Sequence, residues 1–155
     1  MAVFLPKYHK ENILYHGSYY LTKELKPGIH HTGEEIFWDQ TESNKFLYAT
    51  TNKELAIEMG FCSGLTQIGY EVKSFSTNNG TMKISVYDKE LTLTDIYKVK
   101  QVYLYSLPMD NFISVNNQFN NVINEYKTNK IIKDIKNTET INIRKFLSTY
   151  KIILN

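Results

Sequence analysis

The chain has 155 residues, room for one domain and no second. With 42% hydrophobic and 22% charged residues it has the composition of a folded globular protein, which excludes an intrinsically disordered one. A formal net charge of +2 gives no electrostatic reason for tight binding to a nucleic-acid backbone, and a single cysteine, Cys62, excludes an internal disulfide or a cysteine-ligated metal.

Residues 12–16, Asn-Ile-Leu-Tyr-His, read as a short buried strand ended by Gly17-Ser18. A brief helical turn is expected over 19–25, and Lys26-Pro27-Gly28 breaks it. From Ile29 to Lys45 the chain is polar apart from Phe37-Trp38, the pattern of a long loop. Phe46 to Thr50 reads as a second strand. Thr51-Asn52-Lys53-Glu54 then fits a capping box with Thr51 as N-cap, opening a short helix whose buried face holds Leu55, Ala56 and Met59, with Gly60 and Gly64 near its end. Strands are expected over 66–74 and 81–87, joined by a hairpin turn at Asn78-Asn79-Gly80, and over 99–106, closed by Pro108. Beyond Asp110 the residues Phe112, Val115, Phe119, Val122, Ile123 and Tyr126 follow helical spacing. The Asn/Lys/Ile-rich remainder, 128–155, reads as a second helix or as a segment returning to the sheet. The fold class is therefore α+β, with several short strands, few helices and a small core.

The absences narrow the chemistry. There is no Walker loop, no GxGxxG, no GxSxG and no HExxH. With Arg144 the only arginine, phosphate handling by an arginine cluster is excluded. Cys62 follows Phe61 on an apolar helical face, where a small buried thiol is expected and a nucleophile is not. His30, His31, Glu34 and Glu35 have donor types for a metal, but they fall in the long polar loop and read as solvated, so no metal is assigned. The first ten residues lack the apolar run of a signal peptide, and no stretch reaches the ~20 apolar residues of a membrane span, so a cytoplasmic protein is expected. The Asn, Ile, Lys and Tyr bias is what an AT-rich coding sequence gives, as in a bacterium or its phage.

Two segments carry the functional reading together. One is Leu14-Tyr15-His16-Gly17-Ser18, followed by Leu25-Lys26-Pro27-Gly28. The other is Phe46-Leu47-Tyr48-Ala49-Thr50-Thr51, followed by the helix containing Glu54-Leu55-Ala56. In this order they resemble the ADP-ribosyltransferase superfamily, in its His-Tyr-Glu branch of diphtheria-toxin-like and poly(ADP-ribose)-polymerase-like enzymes. The resemblance covers about the first two-thirds of the chain. It implies a split β-sheet core with a helical C-terminal segment, one domain over 1–155, and NAD as co-substrate. The branch's third motif opens a later strand with glutamate; the matching stretch here is Gln101-Val102-Tyr103-Leu104-Tyr105, so glutamine takes that place. The implied triad is His16, Tyr48 and Gln101.

Each position also has a physical reading. Imidazole at His16 can hydrogen-bond a ribose hydroxyl through one nitrogen while the protein holds the other. Gly17 lets a ligand approach the backbone, and its N–H and C=O would pair with the nicotinamide carboxamide, as the resemblance implies. Ser18 and Thr50 flank this site as further cofactor contacts, and Tyr48 offers a ring for stacking on nicotinamide. Breaking the nicotinamide–ribose bond builds oxocarbenium character, which a carboxylate would stabilise and Gln101 would not; Glu71, Glu90 and Asp95 are the candidate substitutes. The expected activity is mono-ADP-ribosylation of a macromolecule, protein or nucleic acid, by a phage-encoded or toxin-like effector. The alternatives are an NAD- or ADP-ribose-binding module, a partner-blocking protein, and an NAD glycohydrolase.

Overall fold

A computed structural model describes residues 12–27, 46–115 and 125–155. Strands β1 (Ile13–Ser18) and β2 (Leu47–Thr50) lead into helix α1 (Lys53–Gln67). The hairpin β3 (Val72–Asn78) and β4 (Thr81–Val86) follows, then the short helix α2 (Leu93–Ile96), strand β5 (Gln101–Pro108) and a 3₁₀ turn (Met109–Asn111). The chain continues through β6 (Ile113–Ser114), β7 (Glu125–Thr128), β8 (Asn137–Asn142), helix α3 (Ile143–Leu147) and β9 (Lys151–Leu154). Six strands form one antiparallel sheet in the order β6-β7-β2-β1-β5-β8, and three form a second in the order β3-β4-β9, with β4 and β9 parallel. This is a mixed α+β chain with few helices, as expected.

Two cores lie on opposite faces of the six-stranded sheet. Alternation along β1 and β5 sends Leu14, Tyr105 and Leu107 to one face, where they pack with Leu25, Leu47, Ala49, Phe112 and Ile132. Val102 and Leu104 go to the other face and pack with Ala56, Phe61 and Leu65 of α1 and with Met82, Ile84 and Val86 of β4. Helix α1 therefore lies between the two sheets.

Its approach to β1 is main chain against main chain. A Cβ added at Gly17 would sit 1.8 Å from the Ala56 carbonyl oxygen and 3.1 Å from the Gly60 nitrogen, and one at Gly60 would sit 3.1 Å from Gly17 C and Ser18 N. Gly17 is thus required by helix packing, a different reason from the ligand approach expected for it.

Several expectations are corrected. The α1 N-cap is Asn52, whose side chain accepts from the Leu55 N–H at 3.1 Å, and Thr51 does not cap. The helix runs through Gly60 and Gly64 to Gln67, so the strand expected from 66 starts only at Val72, and Met59 is 58% exposed. Residues 19–25 form no helical turn; Leu25 bridges Ile132 through two main-chain bonds of 2.9 Å. The helix expected over 112–126 is replaced at both described ends by strands, with Ile113↔Lys127 and Ser114↔Tyr126 in antiparallel register; residues 116–124 lie outside the described residues. The long loop expected over 29–45, with Phe37-Trp38, also lies outside them. The helical C-terminal segment reduces to five-residue α3 between strands β8 and β9. The hairpin at Asn78-Asn79-Gly80 is as read: Asn79 at φ 50 and Gly80 at φ 79 form the left-handed pair of a two-residue turn.

Candidate functional site

Strands β1 and β5 pair along six residues, from Ile13↔Pro108 to Ser18↔Tyr103. The ladder between β1 and β2, among the described residues, is the single pair Tyr15↔Thr50. In that register Gly17 would stand opposite Tyr48, and the ladder does not reach them. There the His16 imidazole takes over: its Nδ1 lies 2.7 Å from the Tyr48 carbonyl oxygen. A ring nitrogen facing a carbonyl is a donor, so Nδ1 carries the proton and, in the neutral ring, Nε2 is an acceptor. Burial pushes the His16 pKa below its ordinary value, and the bond to Tyr48 opposes that only in part. His16 is therefore a neutral imidazole of defined tautomer near pH 7.

The side chains of His16 and Tyr48 do not share a face. His16 lies with Leu14 and Ser18, its ring centroid 6.4 Å from that of Tyr105 in the second core. Tyr48 lies with Phe46, ring centroids 6.4 Å apart, and pairs across the strand with Lys127, whose ammonium is 4.1 Å from the Phe46 ring centroid. The two rings expected to hold one NAD leave the sheet on opposite faces. They meet through the imidazole and the Tyr48 main chain, beyond the one β1–β2 ladder pair.

The remaining expected contacts have local duties. The Ser18 Oγ accepts from the Tyr20 N–H at 3.1 Å, and the Thr50 Oγ1 accepts from the Asn52 N–H at 3.0 Å. Both side chains are buried, and both shape the chain as it leaves a strand. Gln101 is exposed at the start of β5, and its Nε2 donates to the Tyr103 hydroxyl at 2.9 Å. Alternation through Tyr103 to Tyr105 puts Gln101 on the His16 face. The position opposite His16 is Tyr105, four residues away, about 13 Å along the strand. Only an extended ligand spans both. Gln101 instead lines an open depression of about 440 Å³ with Tyr19, Lys98, Lys100 and Tyr103.

Of the substitute carboxylates, Glu71 and Glu90 are exposed. Asp95 closes the capping box of α2 with Thr92 and pairs with Lys98 at 3.3 Å. Hydrogen bonds from Thr92 hold its pKa down to about 2, so it stays charged in that role.

Comparison with protein-family models, curated proteins and solved structures gave no match.

Two groups escaped the sequence reading. Glu58 is a buried carboxyl on α1, and the Tyr150 hydroxyl donates to its Oε2 at 3.3 Å. Burial raises its pKa above the usual range. The only signal was one acid among apolar helix neighbours, Ile57 and Phe61. Tyr105 is fully buried; its hydroxyl accepts from the Thr22 N–H and donates to the Tyr20 carbonyl, both at 2.8 Å, which ties 20–22 to the sheet. Cys62, expected as a small buried thiol, is half-buried, and burial and then the Glu58 charge push its pKa up to about 12. No group of His, Cys, Asp and Glu among the described residues could hold a metal; His30, His31, Glu34 and Glu35 lie outside them. No helix among the described residues is long and apolar enough to cross a membrane.

Proposed function

We propose that the chain binds NAD at the open end of the β1–β2 ladder and transfers its ADP-ribose to a macromolecule, as a cytoplasmic effector of bacterial or phage origin. The observation that carries this reading is the His16–Tyr48 bond: it fixes the imidazole between the His strand and the Tyr strand, beyond their one ladder pair. A ligand seated in the gap between two strands is reached from both faces. His16 then holds the ribose from one side, while the Tyr48 ring meets nicotinamide from the other. The order of elements, His strand, Tyr strand, capped helix and the strand opening at Gln101, supports the same reading.

In the reaction the C1′–N bond of NAD breaks and its electron pair leaves with nicotinamide. An acceptor lone pair forms the new bond to C1′, and the acceptor loses its proton to solvent. No full negative charge from Gln101 stabilises the ribose cation. Removing one such electrostatic group costs ~10²–10³ in rate, so turnover is slow.

A binding module without turnover is the second reading. It is favoured by the Gln101 amide, which is already engaged with Tyr103. Incubation with NAD labelled in the adenylate half, plus a bacterial lysate, separates the two. The proposal expects label on macromolecules that is lost in His16→Ala and increased in Gln101→Glu. Saturable NAD binding without labelling or nicotinamide release establishes the module, and nicotinamide release alone establishes a glycohydrolase. Absence of NAD binding refutes both the transferase and the module.

A further inference from the structure

The depression at the start of β5 combines stacking surfaces with cations. Tyr19 and Tyr103 line it, both half-buried; the Tyr19 ring meets Tyr20 edge-on, centroids 5.0 Å apart, and the Tyr103 hydroxyl accepts from Gln101. Lys98 and Lys100 stand exposed on its rim. The register Gln101↔Asn142 and the bond from the Ile143 N–H to the Lys100 carbonyl, 3.0 Å, bring the start of α3 alongside. That places Arg144, the only arginine, at the same end of the sheet, its guanidinium 4.0 Å from the Tyr97 ring centroid. Against these cations stands Asp95, paired with Lys98. Lys100 and Arg144 have no ion pair among the described residues. Lys100 on the depression and Arg144 beside it, on Tyr97, thus bring positive charge to the end of the sheet that also presents aromatic rings.

We infer that this surface binds single-stranded nucleic acid, with bases stacking on Tyr19 and Tyr103 and phosphates held by Lys100 and Arg144. Stacking is sequence-tolerant because every base has a π-face, and an open groove suits a chain that passes across it better than a small molecule that must be enclosed. An acidic protein would satisfy the cations but leave the tyrosines idle. In combination with the NAD reading, the strand bound here is the ADP-ribose acceptor, delivered to the side of the sheet that Gln101 and His16 share. The binding claim itself needs no NAD, so its failure and that of the NAD reading are told apart.

The test is fluorescence anisotropy with a labelled 12-nucleotide mixed-sequence RNA and its DNA counterpart, without NAD, from 25 to 200 mM salt (ranges of about this size suffice). With two to three phosphates neutralised, log K should fall with log salt at a slope of about −1.5 to −2, using roughly −0.7 per phosphate for single strands. Lys100→Gln and Arg144→Gln should each weaken binding severalfold and flatten the slope by about 0.7. Tyr19→Leu should weaken binding at every salt with the slope unchanged, because it removes stacking and no charge. Circular dichroism confirms that each variant is folded, and a Lys73→Gln variant, on the exposed strand β3, should bind as the parent does. Binding of the oligonucleotide that polyglutamate displaces at equal charge concentration would assign the surface to acidic proteins and overturn the inference. So would the absence of binding at the lowest salt, or a slope indifferent to Lys100 and Arg144.

Discussion

Replacing Gly17 by alanine tests the packing of α1 on β1. The new Cβ would stand 1.8 Å from the Ala56 carbonyl oxygen, and the obstruction is helix main chain, which cannot rotate aside. Restoring van der Waals contact needs a shift of more than about 1 Å at that point, enough to forfeit a quarter to a half of the dispersion energy of the atoms that separate. Those atoms belong to Ala56, Phe61 and Leu65, all at most 1% exposed. Overpacking ordinarily costs about 1–3 kcal/mol; a backbone obstruction belongs at the top of that range or above it, so about 3 kcal/mol or more is expected. For a chain of this size that lowers Tm by about 6–12 °C. Gly60→Ala and Gly64→Ala meet milder contacts, 3.1 Å from main chain and 2.7 Å from the Val99 side chain. Each also gains about 1 kcal/mol in helix propensity. Their net cost should be about 1 kcal/mol or less. Urea titration of the three variants gives the ranking directly. A Gly17→Ala protein within about 0.5 kcal/mol of the parent, a typical surface-substitution effect, would refute the proximity of α1 to β1.

Three further outcomes follow from buried ionisable groups. Because the folded pKa of His16 lies below its unfolded value of about 6.5, the unfolded chain binds more protons as pH falls. Stability is full above that pH and is lost as pH drops toward the folded value, so the parent should lose more stability between about pH 7 and 5 than His16→Gln does, by urea titration at each pH. Glu58 has the opposite sign: its folded pKa is raised, so its ionisation opposes folding as pH climbs above the ordinary carboxyl range. Glu58→Gln should therefore gain stability over the parent from pH 4 to pH 8 (about the span of the transition), read by thermal melts. A thiol with pKa about 12 is only about 10⁻⁴ thiolate at pH 8. Native Cys62 should thus react with iodoacetamide at least ~10³-fold more slowly than in urea-unfolded chain; comparable rates would show that its burial is wrong.

What the sequence made legible was local. Asn79-Gly80 specified its turn because few residues tolerate positive φ, and the strand signals around His16, Tyr48 and Gln101 all fell on real strands. The errors came where local pattern is degenerate. The spacing of Phe112, Val115 and Tyr126 fits a helical stripe, yet the described ends pair as strands of two and four residues, too short to display a period of their own. Gly60 and Gly64 look like helix ends but serve close packing within α1. Gly17 reads equally as room for a ligand or room for a helix, and only the fold distinguishes them. The faces of His16 and Tyr48 depend on the β1–β2 register, which a one-residue slip would invert and which neither strand encodes alone.

The central claim is that NAD meets His16 at the open end of the β1–β2 ladder. It is tested most directly by NMR of imidazole-labelled protein during NAD titration, with the His16 resonances assigned through a His16→Gln variant. The account predicts a saturable shift of the His16 Nε2 resonance, with Nδ1 still protonated by its bond to Tyr48. A His16 ring unmoved at saturating NAD would contradict it.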